Sequence, residues 1–245
     1  MQVITIHSYK GGTGKTNLSL NLAVSAANRA KRVALLELDL ESPAIYNTFK
    51  NTRGKWMNDF LEKDDVKLKD ILTDVSMTAK TKGALEVGLA NPEMSAVRKS
   101  IGGDRKEQLK GLKRLMSIRE ELKGYDYVFF DTSPGVTYAS INAVLTADRI
   151  ILVAKSDRFD IEGTDRLIAE FYEGLEKKTG LVVNRVLTPQ MTQAVTEKIK
   201  IPLLASIPCY CEVPIAGSHT IFVNDKPGHP YSQNIEELLE RTLAF

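Results

Sequence analysis

Apolar runs and segments of helical periodicity alternate along the whole chain. Residues 2–8 form a first strand around Val3-Ile4-Thr5-Ile6, and Leu18, Leu22 and Ser25-Ala26 then recur at helical spacing, predicting a helix over 17–30 with one inward face. Residues 32–38 are a nearly continuous apolar run, as expected of a parallel strand covered on both sides. Further strands are predicted at 84–90, where Asn91-Pro92 ends the run, and at 125–130, 149–154, 181–183 and 203–207. Helical patterns at 94–123, 139–147, 160–178, 192–199 and 234–244 lie between or after them, the first broken by Gly102-Gly103. Residues 46–82 are the least regular, with apolar clusters only at Phe60-Leu61 and Ile71-Leu72. They read as small helices beside a ligand cleft, able to offer a partner surface.

Strands alternating with helices imply right-handed crossovers, hence an α/β fold: a doubly wound, mainly parallel sheet flanked by helices. The 245 residues, with no internal repeat and no linker, are read as one domain, 1–245. Thirty-three basic against 31 acidic residues leave a formal +2, so global charge announces no nucleic-acid partner. No window approaches the roughly 18 apolar residues of a membrane helix, and no signal peptide is expected, which points to the cytoplasm. Cys209 and Cys211 form C-x-C; a disulfide across one residue is strained and zinc needs more ligands, so reduced thiols are expected. Between Arg98 and Lys123, nine lysines and arginines face four acids, a solvated helix face or a docking patch for DNA or an acidic partner.

The chemistry concentrates in Tyr9-Lys10-Gly11-Gly12-Thr13-Gly14-Lys15-Thr16, between the first strand and the first helix. Glycines let backbone N–H groups converge on a polyphosphate at a helix N-terminus. Lys15 is placed to reach β- and γ-phosphates, and the Thr16 hydroxyl to ligate Mg²⁺. The second strand ends in Glu37-Leu38-Asp39 and the 125–130 strand in Asp131-Thr132-Ser133-Pro134-Gly135, carboxylates at the strand ends that face a ligand crevice. An apolar strand followed by Asp is the arrangement that holds Mg²⁺ opposite the phosphate-loop hydroxyl. Asn184 ends another strand, where an amide suits the N6 and N7 edge of adenine or merely caps the strand. His7 reads as a packed strand residue.

Tyr9 stands where the usual loop has its first glycine, and a second lysine, Lys10, precedes the glycines. With this variant the sequence resembles the ParA/MinD family of P-loop ATPases, most strongly over residues 2–43 and 125–135. The resemblance implies ATP, ADP and Mg²⁺, with nucleotide contacts from Gly11, Gly12, Thr13, Gly14, Lys15, Thr16, Asn17, Asn184, Arg185 and Pro208. It assigns metal contacts to Thr16, Asp39 and Asp131. It gives Asp39 the positioning of the attacking water, and puts Glu37 in place of a family Asp. It also implies a homodimer formed on ATP, with Lys10 crossing to the opposite subunit's phosphates, slow hydrolysis, and discharge by an activating protein partner. Leu40-Glu41-Ser42-Pro43 departs from the D-P-Q of plasmid-partition members, leaving the subfamily open.

The implied work is partitioning or spatial positioning of DNA or another cargo, with non-specific DNA as one matrix through Arg185, Lys198, Lys200 or the 98–123 stretch. The acidic C-terminal sequence is repelled by anionic lipid, so a membrane is not the expected matrix. The alternatives are an iron–sulfur carrier ATPase, whose C-x-x-C this C-x-C does not match, and a metabolic ATP-dependent ligase or a tyrosine kinase of the same superfamily. No substrate domain or tyrosine-rich tail supports the last two.

Overall fold

The computed structural model describes residues 1–101, 105–217 and 220–245. Its eight-stranded sheet has the order β3-β4-β2-β5-β1-β6-β7-β8, built from β1 (Gln2–His7), β2 (Val33–Leu38), β3 (Leu72–Asp74), β4 (Leu85–Gly88), β5 (Tyr127–Thr132), β6 (Arg149–Ala154), β7 (Lys178–Val186) and β8 (Leu203–Pro208). All neighbours pair in parallel except β3 with β4. The α/β, mainly parallel architecture read from the sequence is the one observed. β1 lies between β5 and β6, so the chain leaves it first to one side and later to the other. That change of direction opens a crevice at the C-terminal end of β1.

The continuous apolar strands bury both faces, as parallel strands must. One face carries Ile4, Ile6, Leu35 and Phe129 against α1 (Lys15–Asn28) and, later in the chain, α10 (Phe222–Asp225) and α11 (Pro230–Ala244). The other carries Val3, Leu36, Val128 and Phe130 against α2 (Met57–Glu62), α5 (Arg105–Glu121) and α6 (Tyr138–Thr146). Successive strand residues point to opposite faces, so the fixed register of β5 sends Phe129 one way and Phe130 the other.

All seven predicted strands occur, and an eighth was not foreseen: β3, three residues within the stretch read as small helices, is too short to show a period. The stretch around 94–123 forms two helices, α4 (Met94–Ile101) and α5; Gly102 and Gly103 lie outside the described residues. The helix predicted at 160–178 is corrected. α7 (Arg158–Leu167) passes into a π-helical turn, Ile168–Tyr172, and Glu176 takes a left-handed φ of 49° before β7 begins at Lys178, three residues ahead of the predicted strand. The apolar stripe of Ile168, Phe171 and Leu175 imitated a longer helix. The remaining helices are α3 (Ser76–Ala79), α8 (Pro189–Lys198) and α9 (Glu212–Ala216), and α11 starts at Pro230, earlier than predicted because proline is favourable in a first helical turn.

Phe129 is wholly buried in the central strand beside β1. Phe129→Ala is expected to lower unfolding stability by about 3–5 kcal/mol, read by urea denaturation followed by far-UV circular dichroism.

Candidate functional site

Residues 8–14 turn the end of β1 into α1. Gly14 caps the helix with φ of 95°, a left-handed backbone, and a Cβ there would overlap the Asn184 amide. No side chain caps α1 and no acid lies in its first turn. Its first N–H groups and the positive end of its dipole therefore face the crevice without an internal partner, a ready anion site. Lys15 stands in that turn, buried, its Nζ donating to Ser8 Oγ at 3.0 Å, and the same hydroxyl donates to Lys10 O at 2.6 Å. Burial lowers the Lys15 pKa, against the opposing pull of Asp131, Asp39 and Asp160.

Asp131 arrives from β5, fully buried, beside Ile6 in the register. Oδ1 accepts from Ser19 Oγ at 2.9 Å, whereas Oδ2 has no partner among the described residues. Burial pushes the carboxyl up to about 6, with Thr16, Ser19 and Lys15 pulling back. Asp39, just beyond β2, accepts from Ser42 N and Ser133 Oγ, both at 3.0 Å, and so joins the loops that follow β2 and β5. The bare Asp131 Oδ2 and the Thr16 hydroxyl beside it fit a nucleotide-bound Mg²⁺, a hard cation that takes few protein oxygens and completes its shell with phosphate and water.

Glu37 is neither a solvated strand end nor a second metal carboxylate. It is fully buried: Oε1 accepts from Ala44 N (2.6 Å) and Ile45 N (2.7 Å), and Oε2 from Ala90 N (3.0 Å). Desolvation holds it up at about 7 despite these donors, with Asp131 adding to the rise. Glu37 fastens the loop after Asp39 to the end of β4.

At the end of β7 a register irregularity between Asn184 and Val186 puts Arg185 at φ 60°. The buried Asn184 gives Nδ2 to Thr13 O at 2.7 Å and accepts Arg185 N at 3.0 Å through Oδ1. It thus supports the phosphate loop as well as lining a cavity of about 250 Å³ with Gly14, Asn17, Arg185, Pro208 and Tyr210. Val213, Pro214 and both cysteines complete the wall, and the Tyr231 hydroxyl donates to Asn17 Oδ1. Cys209 and Cys211 are exposed free thiols, and no group of three or more His, Cys, Asp or Glu side chains among the described residues could hold a metal.

A family model described as an AAA domain matches residues 1–182. The chain belongs to the ParA/MinD family of P-loop ATPases. It is 28% identical over 226 residues to a putative septum site-determining protein MinD of Nephroselmis olivacea, covering 84% of this chain and 74% of that one. It spans only 64% of the length of an uncharacterized protein of Methanocaldococcus jannaschii, to which it is 27% identical over 176 residues, 69% of this chain. The fold matches the septum site-determining protein MinD complexed with Mg-ADP from Pyrococcus horikoshii (TM-score 0.79, 23% identity, 99% and 97% covered). It also matches a putative plasmid partition protein of Borrelia burgdorferi bound to AMPPNP (TM-score 0.80, 21% identity, 99% and 98% covered).

Of the family's signature positions, Gly14, Lys15, Thr16, Asp39 and Asp131 gather in one crevice, and Asn17, Asn184, Arg185 and Pro208 in the adjoining cavity. Gly11 and Gly12 lie in the loop itself, Gly12 at φ 71°. Lys10 points outward, its Nζ 3.4 Å from Asp157 Oδ1 and 5.1 Å from the centre of the Phe159 ring. Sequence reading missed Ser8, Ser19 and Ser133, whose hydroxyls organise Lys15, Asp131 and Asp39; single serines carry no periodic or motif signal. It also missed Gly163 of α7, where a Cβ would overlap the Tyr9 ring, although a glycine in mid-helix is itself a hint of close approach.

Of the residues offered for DNA, Arg185 borders the cavity, whereas Lys198 ends α8 and pairs with Asp165 at 2.9 Å. Within 98–123, Lys99 pairs with Glu62, Lys110 with Asp64, Arg119 with Asp148 and Lys123 with Glu120, and Arg114 donates to the carbonyls of Phe60 and Val66.

An acid whose folded pKa is raised favours the fold at low pH and ceases to as pH climbs through about 6. Asp131→Asn is therefore expected to stabilise the nucleotide-free protein at pH 7.5 by on the order of 2–3 kcal/mol, roughly half that at pH 5, and to abolish the thermal shift produced by Mg²⁺-ATP. Equal melting temperatures of variant and native protein at pH 7.5 would count against the buried-charge assignment. A nucleotide base in the cavity covers both thiols, so saturating ATP is expected to slow iodoacetamide labelling of Cys209 and Cys211 at least about tenfold, read by peptide mass spectrometry.

Proposed function

We propose that this protein is a cytoplasmic, ATP-driven positional switch, a single domain that pairs with a second copy when Mg²⁺-ATP is bound and separates after slow hydrolysis. Partitioning or placing DNA or another cargo is its work, as the roles of its septum-site and plasmid-partition relatives suggest. The residues that hold the nucleotide are Gly11 to Asn17, with Asn184, Arg185 and Pro208 around the base. Thr16 and Asp131 would hold Mg²⁺, which would neutralise phosphate charge, with Asp39 to orient water.

One observation carries the pairing: the two loop lysines behave differently. Lys15 is buried in the cradle, whereas Lys10 leaves its own loop for an exposed ion pair, worth about 0–1 kcal/mol and readily given up. Beside it, Phe159, Val136 and Tyr138 expose 73%, 59% and 59% of their surface around the crevice mouth, an apolar rim for the second copy to cover. Facing γ-phosphates need more positive charge than one lysine supplies, and Lys10 is free to provide it across the seam.

As matrix we favour DNA or a protein assembly, because α11 presents no membrane-binding face. Ile235, Leu238 and Leu239 of α11 are buried against α1, and its outer Glu236 and Glu240 bind Arg29, so this helix has no apolar face to lay on lipid. No helix among the described residues is long and apolar enough to cross a membrane. Cys209 and Cys211 line the base cavity at a C-x-C spacing that differs from the C-x-x-C of the iron–sulfur carriers, which favours the switch over that reading.

Sedimentation with ATP, ADP and no nucleotide, each with and without DNA and liposomes, tests this. A dimer is expected with ATP alone, and Lys10→Ala is expected to bind ATP within about threefold of the native affinity while remaining monomeric. A native protein monomeric in all states would overturn the switch; a dimer insensitive to Lys10→Ala would overturn the crossing role.

A further inference from the structure

His7 ends β1 one residue before the phosphate loop turns, and 1% of its surface is exposed. Its two ring nitrogens have unlike partners. Nε2 lies 2.8 Å from the Gly135 carbonyl oxygen, and Nδ1 meets the Tyr172 hydroxyl. A carbonyl oxygen can only accept, so Nε2 bears the hydrogen; Nδ1 is then bare, and Tyr172 donates to it. The surroundings therefore select one tautomer of a neutral ring, and burial keeps it neutral, holding its pKa down at about 4.

Gly135 is held on both sides of its residue. Its N–H donates to Ser8 O at 2.8 Å, and its carbonyl accepts from His7 and from Ser140 Oγ at 2.8 Å in the first turn of α6. Its left-handed φ of 71° makes this approach possible, since a Cβ there would press on Tyr9 O at 3.4 Å. The loop so pinned follows Thr132, the last residue of β5, and includes Ser133, whose hydroxyl holds Asp39. Tyr172 comes from the π-helical turn that continues α7 and is itself 6% exposed. Such turns occur frequently at functional sites.

We propose that His7 is a positioning residue for ATP hydrolysis: as the Nε2–H tautomer, fixed by Tyr172, it sets the 133–135 loop against the phosphate loop and thereby places Ser133 and Asp39. It touches no nucleotide and acts through the Gly135 carbonyl. The assignment rests on the ATPase reading of the site and not on dimerisation. A residue of this kind moves kcat and leaves KM for ATP nearly alone, because the cradle from Gly11 to Thr16 is built without it.

Three variants separate positioning from packing. His7→Leu removes both hydrogen bonds at similar volume, His7→Gln keeps an amide N–H able to reach Gly135 O, and Tyr172→Phe keeps the ring but drops the hydroxyl. His7→Leu is expected to lower kcat at least about tenfold with KM within about twofold, and His7→Gln to recover most of that loss. Tyr172→Phe should cost less on its own and nothing further in the His7→Leu background, since the two act as one unit. Nitrogen-15 NMR of the native protein should show the His7 ring as the Nε2–H tautomer, and Tyr172→Phe should give a mixture of tautomers. A His7 in the Nδ1–H form, or equal kcat values for His7→Leu and His7→Gln, would overturn the proposal. If the native protein hydrolyses no ATP, the ATPase reading fails, and the NMR result still decides whether the Tyr172–His7–Gly135 connection exists.

Discussion

The structure depends on a helix that begins without a cap of its own. α1 starts at Gly14 with its first N–H groups open and Lys15 withdrawn from water. Left alone, that concentration of positive potential is costly to bury, and Asp131 and Asp39 around it are buried too. A polyphosphate with its cation supplies the missing partners for both signs at once. The sheet order serves this one need: with β1 in the middle, the ends of β2 and β5 bring their carboxylates to the same crevice as the helix N-terminus.

Around this centre the loops are joined by hydroxyls and backbone groups more than by ion pairs. Ser133 ties the loop after β5 to Asp39, Ser8 ties Gly135 to the end of β1, and Glu37 ties residues 44 and 45 to β4. Three of the four residues 7–10 also meet α7 or its flanks: His7 reaches Tyr172, Tyr9 packs on Gly163, and Lys10 reaches Asp157. The phosphate loop is therefore not an isolated turn. Its state is shared with two loops on one side and a helix on the other, which is what a molecule reporting on a γ-phosphate requires.

Much of this was legible beforehand, and the reasons differ by element. The long parallel strands announced themselves because burial on both faces demands unbroken apolar runs, and the phosphate loop because its glycines, lysine and threonine have a fixed mechanical spacing. Asp131 and Asp39 were legible as strand-end carboxylates. Glu37 occupied the same kind of position and does something else; its three backbone donors come from residues 44, 45 and 90, a meeting only the folded chain makes. His7 was read as a packed strand residue and is packed, but its partners lie 128 and 165 positions away in sequence. The basic surplus of 98–123 is met in part in the same way, three of its nine cations, Lys99, Lys110 and Arg119, pairing with Glu62, Asp64 and Asp148 from outside the segment. Short strands such as β3 and the π-helical turn leave no periodic trace.

The two borders of the sheet bear on how copies of this molecule can meet. On one side the outermost strand is three residues long and runs against its neighbour, ending in the exposed Asp74. On the other, Arg241 reaches over from α11 to occupy the Leu204 carbonyl at 3.1 Å, and Ser206 and Pro208 face outward. The first border is too short to offer a second chain a long ladder, and at the second a side chain already holds one of the acceptors. Growth into continuous ribbons is thereby discouraged.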